Sequence, residues 1–89
     1  MKKLVFSIGA ASALYLSSAP ANAASCYDLW YQRNEIFAAN GYCFKSQLGI
    51  DTFGNADCYT SKPRLSASDR RTVAGIKAEE RRKGCRVNN

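Results

Sequence analysis

Residues 25–41 read SCYDLWYQRNEIFAANG, and this aromatic-rich stretch supplies most of the expected core. Ser25 is a favourable N-cap residue, and Asp28 lies in the first turn, where a negative charge stabilises the positive end of a helix. The Asn-Gly pair that ends at Gly41 is typical of a helix C-terminus. A helix is therefore predicted over about residues 27–40. With about 100° of rotation per residue, its apolar side chains share one face. That face consists of Leu29, Trp30, Ile36 and Phe37.

Two further helices are predicted downstream. The second is short and covers residues 47–53, since Ser46 can cap it and a glycine follows it. The third covers residues 67–83, where Ser66 and Asp69 have the spacing of a capping box and another glycine closes the helix. No stretch has the pattern of a strand, and the chain is too short for two domains. The sequence predicts an all-α fold, a small three-helix domain stapled by disulfides.

The beginning of the chain has the pattern of an export signal. Two lysines precede an apolar run over residues 4–16, and Ala-Asn-Ala at 21–23 forms a cleavage site. We expect residues 1–23 to be removed, which leaves a domain over residues 24–89, no transmembrane segment, and a periplasmic or secreted protein. Acylation of Cys26, as in a lipoprotein, is the alternative, although no leucine stands three positions ahead of it.

The four cysteines, Cys26, Cys43, Cys58 and Cys85, predict two disulfides, because an even number is typical of short exported chains. The predicted first helix would hold Cys26 and Cys43 about 20 Å apart. A disulfide needs Cα atoms within about 7 Å, so this pair is excluded. Two pairings remain open, and we prefer Cys43–Cys58 with Cys26–Cys85 over Cys26–Cys58 with Cys43–Cys85. Without histidine or a C-x-x-C pair, the sequence predicts no metal site.

Residues 28–45, DLWYQRNEIFAANGYCFK, resemble the YARHG domain family, which is named for the helix end that reads Phe-Ala-Ala-Asn-Gly here. Residues 53–58 and 65–67 look like a cysteine-bearing subgroup from alphaproteobacteria. The resemblance implies a small, mostly helical, exported bacterial domain of no settled activity, similar to extracytoplasmic binding or envelope-associated modules. Ala39 and Asn40 stand where the family has Arg and His, so a role that depended on that pair is not expected here.

Arg33 lies at the centre of the apolar face of the first helix, where a charge must be paired or must reach solvent. One interpretation is an anion-binding arginine beneath an aromatic rim. That rim would consist of Trp30, Phe37 and Tyr42. The preferred interpretation is a structural arginine that bonds loop carbonyls or an acid such as Asp51 or Asp57. We expect its neighbour Asn34 to bond a loop backbone rather than a ligand.

The third helix has a basic side that could contact an anionic partner. Both glutamates, Glu79 and Glu80, lie off that side on a helical wheel, although a solvated face with a Glu79–Lys83 pair is the alternative. Export makes nucleic acid a poor partner, and polymers or lipid headgroups of the cell envelope are better ones. The candidate anion-binding residues are Arg70, Arg71, Lys77, Arg81 and Arg82.

The sequence offers little support for catalysis. It contains no histidine, and neighbouring acids in a helix point about 100° apart, which suits an acid–base pair poorly. We therefore expect no enzyme and no cofactor. One hypothesis is a non-catalytic exported module that binds anionic envelope material. The other is a small accessory domain that contacts a periplasmic protein through an aromatic segment at Trp30 and Tyr31.

Overall fold

The computed structural model describes residues 24–87, which form three helices and no strand. Helix α1 spans Cys26–Ala39, α2 spans Gln47–Phe53 and α3 spans Ala67–Lys83. The predicted bounds of α2 and α3 agree with the structure, and α1 begins and ends one residue earlier than expected. The predicted all-α, disulfide-stapled fold is confirmed. The expected export signal at residues 1–23 lies outside the described residues.

Serine hydroxyls cap the N-termini of the helices. At α1, Ser25 accepts a hydrogen bond from the Asp28 N–H at 3.0 Å, and the Asp28 carboxylate accepts from the Ser25 N–H at 3.3 Å, which completes a capping box. At α3, Ser66 accepts from the Asp69 N–H at 3.0 Å. The expected return bond is replaced by another contact, because the Asp69 carboxylate accepts from the Asn40 amide at 3.4 Å. This second contact joins the end of α1 to the start of α3.

Gly41, and not Asn40, adopts the left-handed conformation after α1. Gly41 has φ +84°, whereas Asn40 has φ −108°, so the glycine of the Asn-Gly pair takes the left-handed position. Asn40 instead donates from its side-chain amide to the Ile36 carbonyl at 2.7 Å. The ring of Tyr59 lies so close to Gly41 that a Cβ there would collide with it. The positive φ strongly favours glycine at position 41, and an added Cβ would also have to displace the exposed Tyr59 ring.

The core lies where α1 packs against α3, and α2 packs against α1 through Phe53. Its aromatic part is continuous, since the Phe53 ring lies 5.9 Å from Trp30 and 5.1 Å from Phe44 between centroids. Helix α3 contributes few apolar side chains, and Ile76 is only half-buried. The buried hydrophobic residues are Leu29, Trp30, Phe44 and Val73.

Two disulfides tie the helices and the intervening loop together. Cys26 at the start of α1 pairs with Cys85 just after α3, with 5.4 Å between their Cα atoms. Cys43 pairs with Cys58, with 5.0 Å between their Cα atoms. The structure therefore has the pairing preferred from the helix length. It also gives the Cys26 sulfur a disulfide partner, which argues against acylation at that residue.

Backbone pairing orders the loop between α2 and α3. Tyr42 and Thr60 form an isolated parallel bridge, and the Cys43 N–H donates to the Thr60 carbonyl at 2.8 Å. The Asn55 side chain adds two bonds to Phe44, accepting from its N–H at 2.8 Å and donating to its carbonyl at 2.9 Å. These contacts hold the loop against the end of α1 without forming a sheet.

Candidate functional site

A buried ion pair joins the two long helices. The Arg33 guanidinium on α1 donates from Nε to Glu80 Oε1 at 2.9 Å and from Nη2 to Oε2 at 3.0 Å. The side chains are only 11% and 9% exposed. Arginine and carboxylate thus meet in the bidentate geometry that gives the strongest hydrogen bonds of this kind. The expected partners Asp51 and Asp57 are wrong, because both are exposed and the acid comes from α3.

The expected aromatic rim lies beside Arg33, but its geometry favours a structural role. Trp30, Phe37 and Tyr42 line a cavity of about 270 Å³ together with Arg33. Two of the guanidinium N–H groups are committed to Glu80, which offsets the positive charge. An anion in this cavity would compete with a covalently tethered carboxylate that is already in place. The structural interpretation of Arg33 therefore agrees better with the observed contacts.

Asn34 serves the backbone of its own helix. Its side-chain amide donates to the Trp30 carbonyl at 2.9 Å, four residues back in α1, and the residue is 8% exposed. The observed bond is therefore to the backbone of α1, whereas a loop backbone was the expected partner. Such a bond to the i−4 carbonyl is common for a polar side chain inside a helix.

A second, larger cavity of about 460 Å³ opens at the C-terminal end of α3, and we name it the basic cleft. The cavity is shallow and widely open to solvent. Four of the residues around it carry positive side chains, and one is an acid that already has an arginine partner. The basic cleft is lined by Arg33, Lys77, Glu80, Arg81, Gly84, Cys85 and Arg86.

The structure divides the five basic residues predicted on α3. Lys77 and Arg81 line the basic cleft and are exposed. Arg70 lies on the same line of the helix as Lys77, but about 10 Å closer to the helix N-terminus. Its Nη1 donates to the Leu65 carbonyl at 2.8 Å. Arg71 is exposed and points about 100° away from Arg70. Only two of the five predicted residues therefore share a cavity.

Arg82 forms an ion pair with Glu79, which lies three residues earlier in α3. The Glu79 side chain is 8% exposed, whereas that of Arg82 is 69% exposed. A buried carboxylate needs a partner more than an exposed arginine does. Arg82 thus stabilises the charge of Glu79 and is less available to a ligand than Lys77 or Arg81.

Arg86 is the cleft residue that sequence reasoning missed. It follows the left-handed Gly84, which has φ +67°, so it lies beyond the helical wheel of α3. The Cys85 disulfide to Cys26 directs the chain back towards the start of α1. Cys85 and Arg86 consequently form one wall of the basic cleft. The one sequence signal was the position of Arg86 directly after a cysteine expected to be paired.

An aromatic surface on α1 forms the alternative site. Tyr27 is 45% exposed and Tyr31 is 38% exposed, with 6.3 Å between their ring centroids. The Phe53 ring of α2 lies 5.0 Å from that of Tyr31. Trp30, which the sequence placed in this segment, is 2% exposed and belongs to the core. The accessible part of the segment is therefore the tyrosine pair.

Comparison with known families identifies the chain. The model of the YARHG domain matches residues 5–81. The chain belongs to the YARHG domain family. The match includes α1, α2 and most of α3, whereas Cys85 and Arg86 lie beyond it. No curated protein and no solved structure matches the chain.

Ala39 and Asn40, which stand in place of the Arg and His of the motif that names the YARHG domain, lie at the end of α1. Ala39 is the last residue of the helix and is exposed. Asn40 is half-buried and bonds both the Ile36 carbonyl and the Asp69 carboxylate. Position 40 therefore connects α1 to α3 in this member of the YARHG family, and its contacts are structural.

Among residues 24–87, no three His, Cys, Asp or Glu side chains lie close enough together to hold a metal ion. Over the same residues, no helix combines the length and the apolar character needed to cross a bilayer.

Proposed function

We propose that this YARHG domain is an exported, non-catalytic binding module that contacts anionic cell-envelope material through α3. The observation that carries the proposal is the basic cleft, where Lys77, Arg81 and Arg86 surround one cavity. Its acid, Glu80, already bonds Arg33. Three exposed positive side chains are thus gathered in a concave site, and such a site attracts negative charge more strongly than scattered surface cations do.

Two backbone carbonyls near the end of α3 are engaged in capping hydrogen bonds. The Gly84 N–H donates to the Arg81 carbonyl at 3.2 Å, and the Cys85 N–H donates to the Glu80 carbonyl at 2.9 Å. The negative end of the helix dipole still lies here and opposes an anion. The positive side chains of the basic cleft must therefore outweigh that opposition, and they lie within the same cleft.

A non-catalytic role fits the way the acids are used. The sequence has no histidine, and both adjacent glutamates are held by arginines, Glu80 by Arg33 and Glu79 by Arg82. A catalytic carboxylate must be able to exchange a proton with a substrate in a pocket. Two buried carboxylates that are each held by an arginine are poorly suited to that task.

Export is part of the proposal. Residues 1–23 have the pattern of a cleaved signal, and two disulfides suit an oxidising compartment, so we place the domain in the periplasm or outside the cell. The cysteines, together with residues 53–58 and 65–67, also support membership of a cysteine-bearing alphaproteobacterial subgroup of the family.

The test is binding to isolated cell-envelope fragments across a salt series. The oxidised protein should sediment with the fragments at low salt and should be released as salt rises towards about 0.5 M, because screening shortens the range of Coulombic attraction. Lys77→Gln combined with Arg81→Gln should reduce the bound fraction at low salt. Failure to bind at low salt would overturn the proposal, and so would binding that does not change with salt concentration.

The tyrosine pair supports a second candidate function, a small accessory domain that contacts a periplasmic protein. Tyr27 and Tyr31 are exposed neighbours, and tyrosine is enriched at protein interfaces. An experiment can distinguish the two candidate functions. Tyr27→Ser with Tyr31→Ser should leave salt-sensitive binding to envelope fragments unchanged if the cleft is the binding site. Loss of that binding would favour the accessory-domain function.

A further inference from the structure

We propose that the basic cleft binds a single phosphate group, held by Lys77, Arg81 and Arg86 above the Arg33–Glu80 ion pair. This inference rests on the proposed function and names the chemical class that the site recognises. The cleft gathers these side chains around a cavity of about 460 Å³. A single phosphate group, free or carried by a larger molecule, is small enough to lie among these side chains in the open cleft.

The three cations approach the cavity from two directions. Lys77 and Arg81 are four residues apart on α3, so their Cβ atoms are neighbours about 5–6 Å apart on one helix face. Arg86 comes from the segment after the helix, beyond the left-handed Gly84. An anion between them would be contacted from both sides. A straight row of cations along a helix does not provide this arrangement.

A disulfide fixes the position of the third cation. Cys85 precedes Arg86 directly and is covalently bonded to Cys26 at the start of α1. The Cys85 N–H also bonds the Glu80 carbonyl at 2.9 Å. The backbone that carries Arg86 therefore cannot move far from the helix end. Such preorganisation reduces the entropy lost when a ligand binds.

The number and type of cations favour phosphate over carboxylate. A phosphate monoester carries about −1.5 to −2 charges near pH 7 and presents three acceptor oxygens. Arginine binds phosphate oxygens through its planar fork, and lysine does so as a point charge. A carboxylate has one charge and two oxygens, so it would leave part of this cationic set without a partner.

The floor of the basic cleft limits how deeply the anion enters. Glu80 lines the cavity, and its carboxylate is bonded by Arg33 at 2.9 Å and 3.0 Å. Together, Arg33 and the Glu80 carboxylate carry no net charge. The carboxylate itself would still repel an anion at short range. The phosphate is therefore held near the mouth, where Lys77, Arg81 and Arg86 are exposed.

The basic residues outside the cleft are less well placed for the same ligand. Arg70 bonds the Leu65 carbonyl at 2.8 Å, and Arg82 pairs with the buried Glu79. The extended basic side that the helical wheel suggested is therefore interrupted by internal contacts. Binding should depend on the cleft cations far more than on the total positive charge.

The direct test is an NMR titration of the oxidised protein with inorganic phosphate, compared with sodium chloride at equal ionic strength. We expect saturable shifts of the amide signals of Gly84, Cys85 and Arg86 with phosphate only. Each substitution Lys77→Gln, Arg81→Gln and Arg86→Gln should weaken the apparent affinity about tenfold, the usual loss for one charge-assisted hydrogen bond. The matched control is Arg64→Gln, an exposed arginine outside the cleft, which should bind like the parent.

Two results would overturn the inference. One is an equal response to chloride and phosphate, which would mean general screening. The other is an equal loss of affinity in the Arg64→Gln and Arg86→Gln variants, which would mean that only net charge matters. Unchanged amide spectra away from the substitution confirm that each variant is folded. Because Lys77, Arg81 and Arg86 are all exposed, the three replacements should leave the core intact.

Further binding measurements distinguish the possible sources of the phosphate group. They also distinguish a failure of this inference from a failure of the proposed function. Glycerol phosphate probes a soluble ester, and phosphatidylglycerol vesicles, with phosphatidylcholine vesicles as control, probe a lipid headgroup. Either source supports the inference if Arg86→Gln weakens its binding. Salt-sensitive binding to envelope fragments without saturable phosphate binding would overturn this inference alone. Saturable phosphate binding without envelope binding would overturn the proposed function and keep the ligand class.

Discussion

Arg33 on α1 and Glu80 on α3 lie 47 residues apart in sequence and form two hydrogen bonds in the interior, at 2.9 Å and 3.0 Å. Helix α3 has one buried apolar residue, Val73, so an ion pair takes the place that an apolar contact holds in most helix interfaces. The same pair forms the floor of the basic cleft. It therefore connects the stability of the fold to the geometry of the candidate site.

Replacing Arg33 with alanine should lower the free energy of unfolding by about 2–4 kcal/mol, because removal of one partner leaves the Glu80 carboxylate buried and unpaired. Urea denaturation of the oxidised protein measures this value. The control is Arg71→Ala at an exposed position of α3, which should change stability by no more than about 0.5 kcal/mol. Equal midpoints for the Arg33→Ala variant and the parent would show that the pair is not structural.

The two disulfides should contribute unequally to stability. Cys26 and Cys85 are 59 residues apart, whereas Cys43 and Cys58 are 15 apart. In the chain-entropy model, the larger loop gives about 4 kcal/mol and the smaller about 3 kcal/mol. Replacing each pair by serine and comparing the denaturation midpoints tests the order. A greater loss from the smaller loop would mean that native contacts, rather than chain entropy, set the ranking.

Gly41 and Gly75 should respond oppositely to replacement by alanine. Gly41→Ala places a side chain at φ +84° against the Tyr59 ring and should cost at least about 1–2 kcal/mol. Gly75 lies inside α3 with open space around its Cα, so Gly75→Ala should stabilise the domain by up to about 1 kcal/mol. Thermal melting of both variants provides the comparison. Stabilisation by alanine at position 41 would contradict the close contact with Tyr59.

The helices and the disulfide pairing could be predicted because both depend on local rules. Ser25, Ser46 and Ser66 cap the three helices as their types suggest. The length of α1 alone separates Cys26 from Cys43, which reduced the possible pairings to two. Hydrophobic periodicity also showed that Arg33 faces the core. These features required no knowledge of how the helices meet.

The partners across the helix interface could not be predicted in the same way. A helical wheel shows which residues share a face, but not which other helix that face contacts. Glu80 was therefore placed off the basic side without being recognised as the partner of Arg33. Arg86 lies outside any wheel, because its position depends on the turn at Gly84 and on the Cys85 disulfide. The tertiary fold was needed to assemble the basic cleft.

The most direct test of the central claim compares two triple variants with equal loss of charge. One replaces Lys77, Arg81 and Arg86 by Gln, all in the basic cleft. The other replaces the exposed cations Lys45, Lys62 and Arg64, all outside it. Binding to cell-envelope fragments is measured at low salt for both variants and the parent. The account predicts that the cleft variant loses binding while the control stays near the parent level. Equal binding by the two triple variants would contradict a specific anion site in the cleft.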